Sequence, residues 1–333
     1  MKTIFYKNQS RLFIFMVVTL ALAFTAEGNC FEKTGTTSLQ FLSVKPSARA
    51  NALGGAFTTL ADNAEACFWN PAAITRVNGM DISTSYIDYF LDVKLFSLAG
   101  VYNTDNWGTF GAFALYSDVG SIEVTTVDAL RFNSDKTFNP GITGETFSPT
   151  QFVGGISYAA SLTESFSFGI NVKYIVEDLV FEKLATVAFD GGILFKTGYK
   201  SIIIGAALKN FGSDVKFIAN KYPIPQTMNI GASANLIGTT DQNLLVESNT
   251  SVLRVAYDLS QLRDFDQQHI VGVEYGLDDM LFLRGGYKFN GDQETYSGGF
   301  GVKYQDIRFD YSYNPFGEYL PAVHRVSIGY ALQ

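Results

Sequence analysis

The chain has 333 residues, of which 47% are hydrophobic, 15% aromatic and 17% charged. A disordered chain needs low hydrophobicity and high charge, and an ordinary soluble domain carries roughly 25% charged residues, so the composition argues against both. The formal net charge of -8 argues against nucleic acid as a partner, and 2 His with 2 Cys leave almost nothing from which to build a Cys/His zinc site. No metal or other cofactor is expected.

The N-terminus reads as a targeting segment. Lys2, Lys7 and Arg11 form a positive start, Leu12 to Phe24 is uncharged and apolar, and small-x-small steps follow at Ala21-Leu22-Ala23 and Ala26-Glu27-Gly28. An apolar run this short falls well below the roughly 20 residues that span a bilayer as a helix. The residues before Cys30, Glu27-Gly28-Asn29, lack the apolar and small residues of a lipobox. Simple cleavage after Gly28 is therefore expected, with residues 1–28 as signal peptide. It removes three basic residues and one acid, taking the net charge from -8 to -10. No long apolar segment remains downstream, which excludes a helical membrane protein. An exported aromatic-rich chain is then a soluble β protein or an outer-membrane β-barrel.

Residues 29–79 are rich in Ala and Gly and show little strand alternation. The spacing predicts a short helix after Pro46, capped by Ser47 and ended by Gly54-Gly55. A second start lies at Asn70-Pro71-Ala72-Ala73, with Asn70 as cap and Pro71 at the first helical position. Such a segment is too small to fold alone. Placed before a barrel, it would enter the lumen as a plug or hatch.

From residue 80 to 333 the pattern has period two. Phe166, Phe168, Ile170, Val172, Tyr174 and Val176 alternate with Ser165, Ser167, Gly169, Asn171 and Lys173, so one face of that strand is apolar and the other small and polar. The same holds for Leu281, Leu283 and Tyr287 against Arg284, Gly286 and Lys288, and for Val326, Ile328, Tyr330 and Leu332 against Arg325, Ser327 and Gly329. Fourteen strands are predicted, roughly 80–90, 93–103, 107–117, 150–161, 165–178, 185–197, 201–210, 226–236, 244–257, 268–275, 280–288, 295–304, 306–313 and 324–333. Parity breaks between Glu247 and Ser251, where a bulge is predicted.

Connections after even strands are short, as at Thr104-Asp105, Leu162 to Glu164 and Gln305. Those after odd strands tend to be longer, as at Asp118 to Pro149, Phe211 to Pro225, Asp258 to Gln267 and Asn314 to Val323; the tight turn near Leu91-Asp92 is the exception. Outer-membrane barrels have short periplasmic turns and longer external loops, whereas a sandwich has no reason for this alternation. With Tyr and Phe at the ends of the apolar faces, the pattern favours a lipid-facing barrel over a sandwich or propeller. The fold class expected is all-β: a transmembrane antiparallel barrel of about fourteen strands around an N-terminal luminal plug containing short helices.

The run Ser47-Ala48-Arg49-Ala50-Asn51-Ala52-Leu53-Gly54-Gly55-Ala56-Phe57, then Ala61-Asp62-Asn63-Ala64-Glu65-Ala66, then Phe68-Trp69-Asn70-Pro71-Ala72, resembles the start of the PorV/PorQ family of outer-membrane proteins. Asn-Pro-Ala also occurs near the N-terminus of the related FadL-type channels. The plug motif of that resemblance falls on Arg49, Gly54, Gly55, Asn70 and Pro71. The rest of the chain resembles the family in architecture alone, and its last residue, Gln333, departs from the common aromatic end. The resemblance implies a non-enzymatic role in type IX secretion, with secreted cargo proteins or other secretion components as partners. Its alternative is a FadL-like channel for a hydrophobic ligand. Outer-membrane lipid is the surrounding partner in either case.

A third reading, a rim hydrolase, would need His269 or His324 beside a nucleophile or acid. Both share outward parity and are expected as interfacial residues of the girdle. Gly285-Gly286 and Gly298-Gly299 lack the strand-to-helix context of a phosphate loop. Cys30 and Cys67 face an oxidising compartment, where a disulfide tying the mature N-terminus to the plug and two separate thiols are both open. Lumen parity collects Lys173, Lys196, Lys209, Arg254, Arg284, Lys288, Lys303, Arg308 and Arg325 against Asp190, Glu274 and Asp310. Mixed charges of this kind hold a plug, and Arg49 is expected to pair with a wall carboxylate such as Asp190 or Asp310. The loop from Asp118 to Pro149 is the first candidate for partner contact or gating.

Overall fold

The computed structural model describes residues 35–332, apart from 105, 180–181, 218–219, 239–242, 292–293 and 318–319. The expected signal peptide and Cys30 lie outside the described residues.

Alternation builds the wall. In β1 (Met80–Asp88), Asp81, Ser83, Ser85 and Ile87 are buried while Met80, Ile82 and Tyr86 are exposed. Polar side chains turn inward and apolar ones outward, the reverse of a soluble core. That arrangement is stable where the outside is lipid. Thirteen further staves repeat it: β2 (Lys94–Asn103), β3 (Thr109–Asp118), β4 (Thr150–Ser161), β5 (Phe166–Asp178), β6 (Lys183–Lys196), β7 (Ile203–Gly212), β8 (Thr227–Gly238), β9 (Ser251–Leu262), β10 (Gln268–Leu277), β11 (Leu281–Phe289), β12 (Tyr296–Tyr304), β13 (Ile307–Phe316) and β14 (Leu320–Leu332). Each pairs antiparallel with its sequence neighbours. β1 closes on β14, from Met80↔Leu332 to Asp88↔His324, so the sheet has no free edge. Both ends of the barrel sequence lie at one rim, the periplasmic one by the convention of such barrels. No described helix is long and apolar enough to cross a membrane.

The predicted staves stand, with corrections at their ends. The ninth stave begins at Ser251 and reaches Leu262. The expected bulge between Glu247 and Ser251 is the stave's own boundary: Val246–Glu247 is a separate short strand that pairs parallel with Ile237–Gly238. Asp258 and Ser260, read as the start of a loop, are buried luminal residues of β9. Their polarity reflects contact with the hatch, because Asp258 Oδ2 accepts from the backbone N–H of Phe57 at 3.0 Å and of Thr58 at 2.9 Å. The turn predicted from Asn314 to Val323 shrinks, since β13 and β14 extend to the pair Phe316↔Leu320. Loop lengths therefore alternate less regularly than expected. The long loop after β3 is itself ordered as a hairpin of Ile122–Phe132 with Phe138–Phe147.

Residues 35–79 fill the lumen. Thr37 Oγ1 donates to Asp264 in the external loop after β9, and Ser38 N–H donates to Pro223 O in the external loop after β7. The segment thus descends from the external rim to the periplasmic start of β1. Helix α1 (Ala48–Ala52) starts as expected, with Ser47 Oγ accepting from Ala50 N–H, and ends at Gly54 (φ 69°) and Gly55 (φ 98°). The left-handed region suits glycine at both positions. Two 3-10 turns follow, Ala64–Phe68 capped by Asn63 and Pro71–Arg76 capped by Asn70 with Pro71 at its start.

The hatch seats on wall glycines. A Cβ at Gly192 would lie 2.1 Å from Asn70 Oδ1, and one at Gly169 would lie 2.4 Å from Pro71 C. On the opposite wall, a Cβ at Gly286 would lie 2.1 Å from Gly54 N. The glycines let hatch backbone lie directly on stave backbone.

Candidate functional site: the hatch and its two chambers

Arg49 of α1 reaches the wall at Glu274 of β10. Its Nε lies 2.9 Å from Oε2 and its Nη2 3.1 Å from Oε1, a two-point contact, while Nη1 lies 2.5 Å from Asp62. Glu274 also receives Arg254 Nη1 at 2.7 Å and Arg284 Nε at 2.7 Å, so one buried carboxylate gathers three guanidiniums. The wall partner of Arg49 is therefore Glu274. Asp190 is occupied by Lys173 at 2.7 Å and Asp310 by Arg284 at 2.6 Å, which removes both from the expected pairing.

The other motif residues do backbone work. Asn70 caps its turn, with Oδ1 accepting from Ala72 N–H at 3.1 Å, and donates through Nδ2 to Thr58 O and Ile193 O. Pro71 packs over Gly169. Gly54 lies on β11 at Gly286 and Tyr287, and a Cβ at Gly55 would lie 3.7 Å from the Trp69 ring. Glu65 has no ion partner among the described residues. It accepts from Ser47 Oγ at 2.6 Å, and burial, then the nearby Asp310, raise its pKa above the usual carboxyl value. Cys67 is a fully buried thiol pushed up to about 12 by burial.

Above the hatch, toward the external rim, is a cavity of about 590 Å³. Its walls are mostly apolar: Phe41 and Val44 of the hatch, Leu95 of β2, Ile270 of β10, and Trp69 at the floor. Its lip is aromatic. Tyr89, Phe90 and Phe316 cluster with ring centroids 4.1, 5.5 and 5.9 Å apart. Lys45 stands 5.0 Å above the Trp69 ring and Lys209 stands 5.4 Å from it. Burial, then repulsion from Lys288, lowers Lys45 to about 8. Below the hatch the character reverses. A cavity of about 330 Å³ is lined by Arg49, Asp62, Arg76, Arg254, Arg284 and Arg308 with further acids. Helix α1 stands between the chambers: Arg49 faces the charged one and Asn51 the apolar one.

Sequence reasoning missed Lys45, the aromatic lip and the cavity they define. The available signal was Tyr89-Phe90 beside the Leu91-Asp92 turn, an aromatic pair at a rim. His269 and His324 take the expected outward positions. Their Nδ1 atoms lie 2.6 Å from Tyr257 OH and 2.7 Å from Tyr311 OH, inside the aromatic girdle.

A closed fourteen-stave antiparallel barrel with an apolar outer belt and a hatch in its lumen is the fold of a transmembrane β-barrel. No family model matches the chain, and no curated protein matches it in sequence. Solved structures do match. The Ralstonia pickettii toluene transporter TbuX is similar at TM-score 0.58 and 11% identity over 87% of this chain and 99% of that one. The P. putida toluene transporter TodX is similar at TM-score 0.57 and 11% identity over the same shares, 87% and 99%. At such identity the likeness shows the fold alone.

Proposed function

We propose that the protein is a non-enzymatic outer-membrane channel for hydrophobic small molecules. The observation that carries this reading is the 590 Å³ apolar cavity with an aromatic lip at the external rim, a concave and largely apolar site of the size small molecules use. The toluene transporters of the same fold support it. Onward passage downward meets the charged chamber, which disfavours a hydrophobe. Passage sideways meets less. Val44 and Lys45 also line a small cavity of about 40 Å³ under Phe113 and Val153. Phe113 fills the place a side chain on Gly155 would take, 2.5 Å from its Cβ position. Outside that point the lipid face is dented at Gly154, Gly155 and Ile156. Phe113 is the plug of this lateral route. In proteoliposomes loaded with a solvatochromic dye, Phe113→Ala should speed entry of an aromatic hydrocarbon and Phe113→Trp should slow it. Equal rates for empty vesicles and vesicles carrying the wild-type protein would end the channel reading.

Removal of residues 1–28 during export belongs to the same proposal, and N-terminal sequencing of the mature protein tests it. The PorV-like reading, attachment or export of cargo through type IX secretion, is supported by the 47–72 motif alone. Retention of surface proteins in the periplasm of a deletion strain would favour it over the channel.

A further inference from the structure

On the periplasmic side of the hatch a second polar cavity, of about 400 Å³, adjoins the charged chamber. Asp62, Arg76 and Arg254 line both, so Arg76 stands where the two meet. The turn between β4 and β5 brings Glu164 to this cavity, β6 brings Lys196, and the turn after β6 brings Lys200. Cations on the lining outnumber acids by four to two. Asp62 is already held by Arg49 at 2.5 Å, and Arg254 is held by Glu274 at 2.7 Å. Lys196 and Glu164 form no ion pair among the described residues.

Arg76 is the last residue of the final hatch turn, Pro71–Arg76. Its Nη1 donates to Thr59 O at 2.7 Å and to Ala61 O at 3.1 Å, so hatch backbone fixes the plane of the guanidinium. Its Nε and Nη2 have no partner among the described residues, and neither atom is sealed from solvent. These two nitrogens form one edge of the guanidinium, a pair of parallel donors that matches two oxygens of a carboxylate or phosphate. Burial lowers the pKa of Arg76; Asp62 works against this, and Arg254 and Arg49 add to it. A bound anion would relieve that crowding of cations.

We infer that this periplasmic cavity is a binding site for a small polar oxyanion, whose carboxylate or phosphate group sits on the Nε–Nη2 edge of Arg76 with Lys196 as the second cation. Ser165 and Ser233 add hydroxyls to the lining, which suits a polar solute and not a hydrophobe. The site lies across the hatch from the apolar cavity, and it stands or falls apart from the channel reading.

The full-length protein in dodecyl maltoside, a detergent without phosphate, would be dialysed to equilibrium against radiolabelled inorganic phosphate at constant ionic strength. The expected result is saturable binding that acetate displaces and an equal concentration of chloride does not, since a halide cannot span two donors. Phosphate held against acetate would confine the ligand to phosphates. Arg76→Lys keeps the charge and loses the two-donor edge, so it should weaken binding by about tenfold, the worth of one hydrogen bond to a charged group. Arg76 also holds hatch backbone, so Lys196→Gln, at the exposed end of β6, provides a second variant and should weaken binding severalfold. Retained heat-modifiable migration shows that each variant is folded. Absence of saturable binding, displacement by chloride as readily as by acetate, or parent-like affinity in both folded variants would overturn the inference. None of these outcomes bears on entry of a hydrocarbon, so the channel is judged separately.

Discussion

Glu274 is where one substitution says most about the hatch. Three guanidiniums converge on it, and Arg49 is the one that belongs to the hatch. Removing one partner of a buried pair costs about 3–5 kcal/mol, mostly as charge left unpaired. Glu274→Gln should therefore lower the temperature at which the heat-modifiable band is lost and raise single-channel conductance in planar bilayers, as α1 loosens between the chambers. Arg49→Lys should fall between, because an ammonium makes a point contact where the guanidinium makes two. Lys45 gives a pH readout. With its pKa lowered to about 8 by burial and Lys288, it loses charge over Trp69 as pH rises through that value. Trp69 emission should follow with a midpoint near there and become flat in Lys45→Met. The sign for stability is set by the same shift. The folded state penalises the charged amine, so this contribution improves as pH climbs from about 8 toward the ordinary lysine value of 10.5.

At the scale of elements, the seating of the hatch on glycines makes a paired prediction. Gly191→Ala should be tolerated, since nothing lies within 4 Å of its Cβ position, whereas a Cβ at Gly192 meets Asn70 Oδ1 at 2.1 Å. Gly192→Ala should cost on the order of 1–3 kcal/mol, the price of overpacking, measured by urea unfolding in lipid vesicles. The contact of the hatch on Gly192 was not legible in the sequence. Strand parity turns Gly191 outward and Gly192 inward, but only the hatch backbone says that this inward glycine is touched. The caps were legible, because Ser47, Asn63 and Asn70 act on backbone two or three residues away. The Arg49–Glu274 pair was not, because 225 residues separate its partners and parity alone offered several luminal acids. Asp258 and Ser260 were misread for the same reason: polarity at a stave end looks like a loop until the hatch is present.

For the whole molecule, the reversed burial pattern predicts where damage is confined. Ile170 lies mid-stave on β5 and is 50% exposed. Ile170→Arg should destabilise the barrel by about 2–4 kcal/mol if it sits near the bilayer midplane, while Ile170→Leu should be silent, both read as folding free energy in vesicles. The architecture was legible because period two, repeated along the chain, leaves few closed solutions. The apolar chamber was not, because its walls come from the hatch, β2, β10 and the rim loops, which meet only after closure.

Closure itself sets an order of events. Helix α1 donates its first amide, Ala48 N–H, to Ser327 of β14, and Ala64 N–H donates to Asp81 of β1. These are the two staves of the seam. The hatch enters at the external rim and leaves at the periplasmic one, so it cannot be inserted afterwards without threading a chain through a filled tube. These contacts predict that the hatch lies on the sheet before the seam zips over it, and protease accessibility of the hatch during assembly would check that order. Slowing the final β1–β14 pairing should therefore accumulate an open sheet with its hatch accessible to proteases.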